Sequence, residues 1–211
     1  MKKLFKIIIL GSFTFFLLTG CSSQNGSVGK QAAAPIVPLG CIVVLPAGTS
    51  VDKDETINFE KAQSLEKGAA YATKVLAEQL RGNSKVRMLT SDQISNLVPE
   101  ISGGLSGTVS ALGRKLNCDG VLTTTIQRFR QREGTEYASD SPASVHFKMT
   151  LTQVESGKVL WARDYRETQK SFFSDLFSIA KVQKRGLKWV SAEQLAEQAL
   201  QERLAECPYL K

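Results

Sequence analysis

The sequence predicts an α/β domain: a two- or three-layer sandwich around a mixed sheet of about five strands, with parallel β-α-β units, an antiparallel edge meander and C-terminal helices. Three patterns carry that prediction. Cys41-Ile-Val-Val-Leu45 is an unbroken apolar run, which reads as a strand buried on both faces. Leu65, Ala69, Ala72, Leu76 and Leu80 recur at the spacing of one helical face. Val145, Phe147, Met149 and Leu151 alternate with His146, Lys148, Thr150 and Thr152, the period of a half-buried strand.

The elements follow in order. Pro35 to Leu39 is extended, and Pro46 ends the first strand. A polar loop, Ala47 to Asn58, precedes the periodic helix, which Gly82-Asn83 stops. Val86 to Leu89 is a short second strand, and Thr90-Ser91-Asp92 caps a helix running to Leu97. Pro99 to Gly107 is a glycine-rich loop; Thr108 to Leu116 is a packing helix; Cys118-Asp119-Gly120 turns into a strand from Val121 to Arg130. After the polar stretch Gln131 to Pro142 comes the alternating strand. Ser156-Gly157-Lys158 is its hairpin turn into Val159 to Glu167. A last helix starts at Ser191, where Gln194 completes a capping box and Val190 staples to Leu195, and it ends before Pro208. Strand–helix–strand order implies right-handed parallel crossovers, and the last strands imply an antiparallel meander. Phe129, Trp161 and Tyr165 are expected in sheet-face packing.

Residues 1–20 are expected to be a signal peptide. Met1 to Lys6 is basic, and Ile7 to Leu18 is an apolar run of 12 residues. That is too short to cross a bilayer core of about 30 Å as a helix. Leu18-Thr-Gly-Cys21 closes it and looks like the lipobox of bacterial lipoproteins, with cleavage between Gly20 and Cys21 and diacylglyceryl attachment to the Cys21 thiol. Residues 21–40 then form the lipidated cysteine and a flexible tether, and residues 41–211 the periplasmic domain. Ser22 in place of Asp, by the sorting rule known for such lipoproteins, directs the protein to the outer membrane, domain facing the periplasm.

The whole chain of 211 residues carries 27 basic and 20 acidic side chains. Removing residues 1–20, which hold three lysines and no acid, leaves 24 against 20. No basic stripe interleaved with aromatics appears, so nucleic acid is not the expected partner. In an oxidising compartment, Cys41, Cys118 and Cys207 allow one bridge and one free thiol. Cys41 lies in an apolar run and is expected to behave as a small buried hydrophobe. Cys118 and Cys207, at helix ends, are the expected pair.

Catalytic motifs are missing from the sequence. His146 is the single histidine, on the polar side of its strand, with no Gly-x-Ser-x-Gly elbow to serve. There is no phosphate loop and no dinucleotide fingerprint. Gly103, Gly104 and Gly107 lie in a connector, and Asp52-Lys-Asp-Glu55 reads as a solvated loop. No metal site and no cofactor are expected. The segment 168–190 is more distinctive. Phe172, Phe173, Leu176, Phe177 and Ala180 share one helical stripe, followed by Lys181, Lys184, Arg185, Lys188 and Trp189. Two readings stand for it. It packs on the sheet, or it is a basic aromatic element in which Phe172, Phe173, Leu176, Lys184, Arg185 and Trp189 dock a partner protein or an anionic membrane.

Ile42-Val-Val-Leu-Pro46, the helix before Val86-Arg-Met-Leu-Thr90, Leu112-Gly-Arg-Lys-Leu-Asn-Cys-Asp-Gly-Val121 and Ser156-Gly-Lys-Val-Leu-Trp161 occur in an order that resembles one family. It is the periplasmic lipoprotein group around CsgG, with the N-terminal domain of TolB, LpoB and PelC. The resemblance spans about residues 41 to 168. It implies an α/β sandwich that binds proteins or assembles into rings in envelope machinery, without catalysis. The stretch Gln131 to Pro142 is too short and polar for membrane-spanning hairpins, whose strands need about 9–11 residues, so a pore made by this chain is not expected.

Two functions remain. One is a lipid-anchored, non-catalytic assembly or scaffold subunit of an envelope export or biogenesis complex, with self-association among its properties. The alternative is a monomeric regulatory module that recruits or activates a periplasmic enzyme. A tether of about 17 residues, Ser22 to Pro38, spans only about 20–25 Å as a coil, which favours assembly near its own membrane.

Overall fold

The β-branched run after Cys41 becomes a central strand, Ile42–Val44 (β1), buried on both faces. The computed structural model describes residues 36–51, 56–97, 104–134, 139–169 and 190–211. Next to β1, the short Gly48–Thr49 (β2) pairs parallel with a neighbour, and Phe59–Gln79 (α1) crosses over to Val86–Met88 (β3), parallel to β1. Ser91–Leu97 (α2) and Gly104–Lys115 (α3) lead to Gly120–Arg130 (β4), parallel to the other side of β1. Glu133–Gly134 (β5) and Ser139–Ser141 (β6) pair as a small separate hairpin. Ser144–Gln153 (β7) and Val159–Thr168 (β8) then extend the sheet antiparallel from β4, and Ala192–Glu206 (α4) closes the chain. The main sheet is six-stranded, in the order β3-β1-β4-β7-β8 with β2 against β4.

Alternate residues of β1 and β4 feed two cores. Ile42, Val44, Leu122 and Ile126, with Phe147 and Met149 of β7, pack under α1 and α4. Val43, Leu45 and Val121 pack under α3 through Val109 and Leu112. The parallel half is thus three layers, which is why β1 is apolar on both sides. Over β7 and β8, described helices cover one face only.

Local signals place the helices. Asn58 caps α1, its side chain accepting from the Lys61 N–H at 2.9 Å. Thr90 and Gln93 cap α2 reciprocally, at 2.9 and 3.3 Å. Ser191 and Gln194 form the expected capping box of α4. At the end of α3, Cys118 N–H reaches Gly113 O (2.9 Å) and Asn117 N–H reaches Arg114 O (3.1 Å). With Asn117 at φ 53°, this is a Schellman closure.

Close approach decides two glycines. A Cβ on Gly68 would sit 2.5 Å from Phe129 Cγ, and one on Gly113 would overlap the Val154 side chain. A register shift between Ile126 and Arg128 turns both Ile126 and Phe129 toward α1, which is how Phe129 reaches Gly68.

Several expectations need correction. The polar loop after Pro46 contains β2, because the chain leaves β1 and rejoins β4 with Gly48 opposite Thr125. The stretch after Gln131 contains the β5–β6 hairpin. Helix α3 starts at Gly104, so Gly104 and Gly107 are helical. His146 is 4% exposed although it lies on the polar side of β7; this end of β7 is buried on both faces, Ser144 and Val145 included.

Candidate functional site

The two ends of β4 hold the features from which a function can be built. At its start, the chain arriving from residue 36 is fastened. Cys41 and Cys118 form a disulfide with Cα atoms 4.6 Å apart. Asp119 Oδ2 accepts the N–H groups of Gly40 (2.7 Å) and Cys41 (3.0 Å). In return, the Asp119 and Gly120 N–H groups donate to the Cys41 carbonyl at 2.9 and 3.2 Å. Leu39 is buried against this knot.

This overturns the expected Cys118–Cys207 pairing and the reading of Cys41 as a packing residue. Cys207 is free and buried, and burial pushes its thiol pKa up. The physical reason is the parallel register. Ile42 lies opposite Gly120, so the residues just before two neighbouring strands meet at one edge. Cys41 and Cys118 are those residues, whereas Cys207 follows α4 and points into the core under it.

At the other end of β4 lies a groove of about 350 Å³ lined by Val51, Ile57, Lys61, Phe129, Arg130 and Gln131, among others. Its lining mixes exposed apolar side chains, Val51 at 41% and Ile57 at 52%, with the charged Glu60, Arg128 and Glu133; Phe59, 81% exposed, follows Ile57 at the start of α1. Asn58 fixes the start of α1 between Ile57 and Phe59 through its cap bond, so both side chains are presented on an ordered helix end. The Ser64 hydroxyl donates to the Phe129 carbonyl, tying the floor of the groove to α1. Gln131 accepts the Ala192 N–H (3.3 Å), and Gln169 accepts the Val190 N–H (3.0 Å). The chain therefore leaves at Gln169 and returns at Val190 beside the groove end of β4.

The sequence reading did not find this groove. Cys21, Gly20, Phe172, Phe173, Leu176, Lys184, Arg185 and Trp189 lie outside the described residues, as do Asp52–Glu55 and Gly103. His146 Nε2 is 3.1 Å from Asp164 Oδ1. Among the described residues, no group of three or more His, Cys, Asp or Glu side chains is placed to hold a metal. None of the described helices is long and apolar enough to cross a membrane.

No protein-family model matches the chain, and no curated protein matches it. Among solved structures it is similar to the PelC dodecamer from Paraburkholderia phytofirmans, at 14% identity over 81% of this chain and 89% of that one, TM-score 0.46. It is similar to the LpoB C-terminal domain from Escherichia coli, at 18% identity over 63% and 86%, TM-score 0.40. Lipoprotein GNA1162 from Neisseria meningitidis is similar at 15% identity over 70% and 97%, TM-score 0.40. Such scores carry no assignment of function. PelC and LpoB are two of the names the sequence motifs brought up; the resemblance to CsgG and TolB rests on the motifs alone.

Proposed function

We propose that this is an outer-membrane lipoprotein, anchored through Cys21 and facing the periplasm, that acts as a non-catalytic assembly or scaffold subunit of an envelope export or biogenesis complex. One observation carries the docking part of the reading. The fastening of the incoming chain and the groove lined by Val51, Ile57 and Phe129 sit at opposite ends of β4. Its 11 residues put them roughly 30 Å apart. Val51 and Ile57 are thus exposed at the end of β4 opposite the fastening.

The Cys41–Cys118 bridge supports export, since such links persist in oxidising compartments. The segment between Gln169 and Val190, which holds Phe172, Phe173, Leu176, Lys184, Arg185 and Trp189, is proposed as a second docking element. The regulatory alternative is less favoured, because a tether spanning about 20–25 Å gives little reach across the periplasm.

Fractionation tests the anchor. Wild-type protein is expected with outer membranes, and Cys21→Ala protein in a soluble or uncleaved form. Acylated Cys21→Ala protein in membranes would overturn the anchoring. For docking, Ile57→Asp/Phe59→Asp and Lys184→Glu/Arg185→Glu are expected to leave the urea midpoint nearly unchanged and to lower cross-linking to envelope proteins. Unchanged cross-linking of both would remove these surfaces from the reading.

A further inference from the structure

We infer that β8 is the surface through which two copies of this chain pair, antiparallel, about a two-fold axis at Tyr165. Among the described residues no strand pairs with the outer edge of β8, which runs 10 residues from Val159 to Thr168. An edge of that length is a template for another strand.

Hydrogen-bond parity restricts how a second copy can add. Gln169 donates its N–H to Ala143 O at 2.9 Å, and the register from Ser144↔Thr168 to Leu151↔Trp161 is unbroken. Odd-numbered residues of β8 therefore direct their backbone groups to β7, and Ala162, Asp164, Arg166 and Thr168 direct theirs outward. A second β8 must pair even-numbered residues with even-numbered ones, so the two-fold axis passes through a residue. Centred on Arg163, Asp164 or Arg166, it sets that charge against its own copy. Centred on Tyr165, it sets Arg163 against Glu167 and Asp164 against Arg166, each twice. The sequence Arg163-Asp-Tyr-Arg-Glu167 is opposite in sign to its own reverse at every charged position. Unlike charges directly opposite stabilise a strand pair, and like charges destabilise it. The two-fold makes the interface self-complementary.

Strand alternation puts Arg163 and Glu167 on one face of β8 and Asp164 and Arg166 on the other. Arg163 Nε lies 2.9 Å from Glu206 on the helix-covered face, and the Tyr165 hydroxyl donates to Glu167 on the same face. Asp164 lies on the opposite face with His146, its side chain 61% exposed.

This inference rests on the self-association included in the assembly reading and names its surface. Sedimentation equilibrium of the full chain in density-matched detergent tests it. The wild type is expected to dimerise. Asp164→Arg puts Arg against Arg, and Arg166→Asp puts Asp against Asp, so each alone should associate about tenfold more weakly or worse. An equimolar mixture of the two variants restores every unlike pair and should regain wild-type association. A monomeric wild type, single variants that associate like the wild type, or a mixture no tighter than its components would each overturn the interface. A monomer that still fractionates through Cys21 would leave the anchored docking reading standing.

Discussion

Gly113 shows how little room the fold leaves at single positions. It lies on α3 where the helix meets Val154 at the end of β7, and a Cβ there would overlap the valine. Gly113→Ala is therefore expected to cost about 1–3 kcal/mol through overpacking, read as a lower urea midpoint with an unchanged slope. The same short helix ends in the Schellman closure that aims Cys118 at Cys41. Cys207 is the contrasting thiol. Buried and with its pKa raised by that burial, it should resist alkylation in the folded protein and react only after unfolding. Non-reducing peptide mapping should recover Cys41 linked to Cys118; a link to Cys207 would contradict the fold described here.

Between elements, α1 and α4 share one face of the sheet and are joined at their solvent side by Tyr71, whose hydroxyl donates to Glu197 Oε2 at 3.0 Å. Partial burial, with the Glu197 carboxylate next, pushes the phenol pKa up to about 12. The folded state thus favours neutral Tyr71 over its ordinary ionisation near 10. Its contribution is complete below about pH 10 and is lost as pH rises toward about 12. Tyr71→Phe should lower stability by about 0.5–1.5 kcal/mol at neutral pH and remove a phenolate transition at about pH 12 from an absorbance titration. The capping box at the start of α4 makes a separate prediction: Ser191→Ala should cost about 1 kcal/mol, measured by the same denaturation.

For the whole molecule, the Cys41–Cys118 bridge closes a sequence separation of 77 residues that contains α1, β3, α2 and α3. Restricting a loop of that length in the unfolded chain should stabilise the fold by about 2–4 kcal/mol. Reductant, or Cys41→Ser/Cys118→Ser, should lower the urea midpoint accordingly. The bridge also marks one end of β4. Together with Asp119 it fastens the incoming chain to the start of β4, while the groove lined by Val51, Ile57 and Phe129 opens at the far end.

The α/β class, the strand–helix order and most element limits were legible in the sequence. Those depend on short-range periodicity and caps, which neighbours in the chain supply: the apolar run of β1, the stripe of α1, the alternation of β7 and the Ser191–Gln194 box. The proposed export and lipidation rest likewise on contiguous residues, the apolar run Ile7 to Leu18 and the Leu18–Cys21 tetrapeptide. Whatever depends on residues meeting across the fold was not legible in any one segment. Cys41 pairs with Cys118 only because β1 and β4 are parallel neighbours whose starts share an edge. His146 is buried although its strand pattern marks it as polar-side. The groove needs α1, β4 and the segment after β2 brought together, and no local pattern in any one of them announces it. The charge inversion around Tyr165 is written in the sequence, but it acquires meaning only when the sheet order leaves β8 at the edge and the hydrogen-bond parity selects a register.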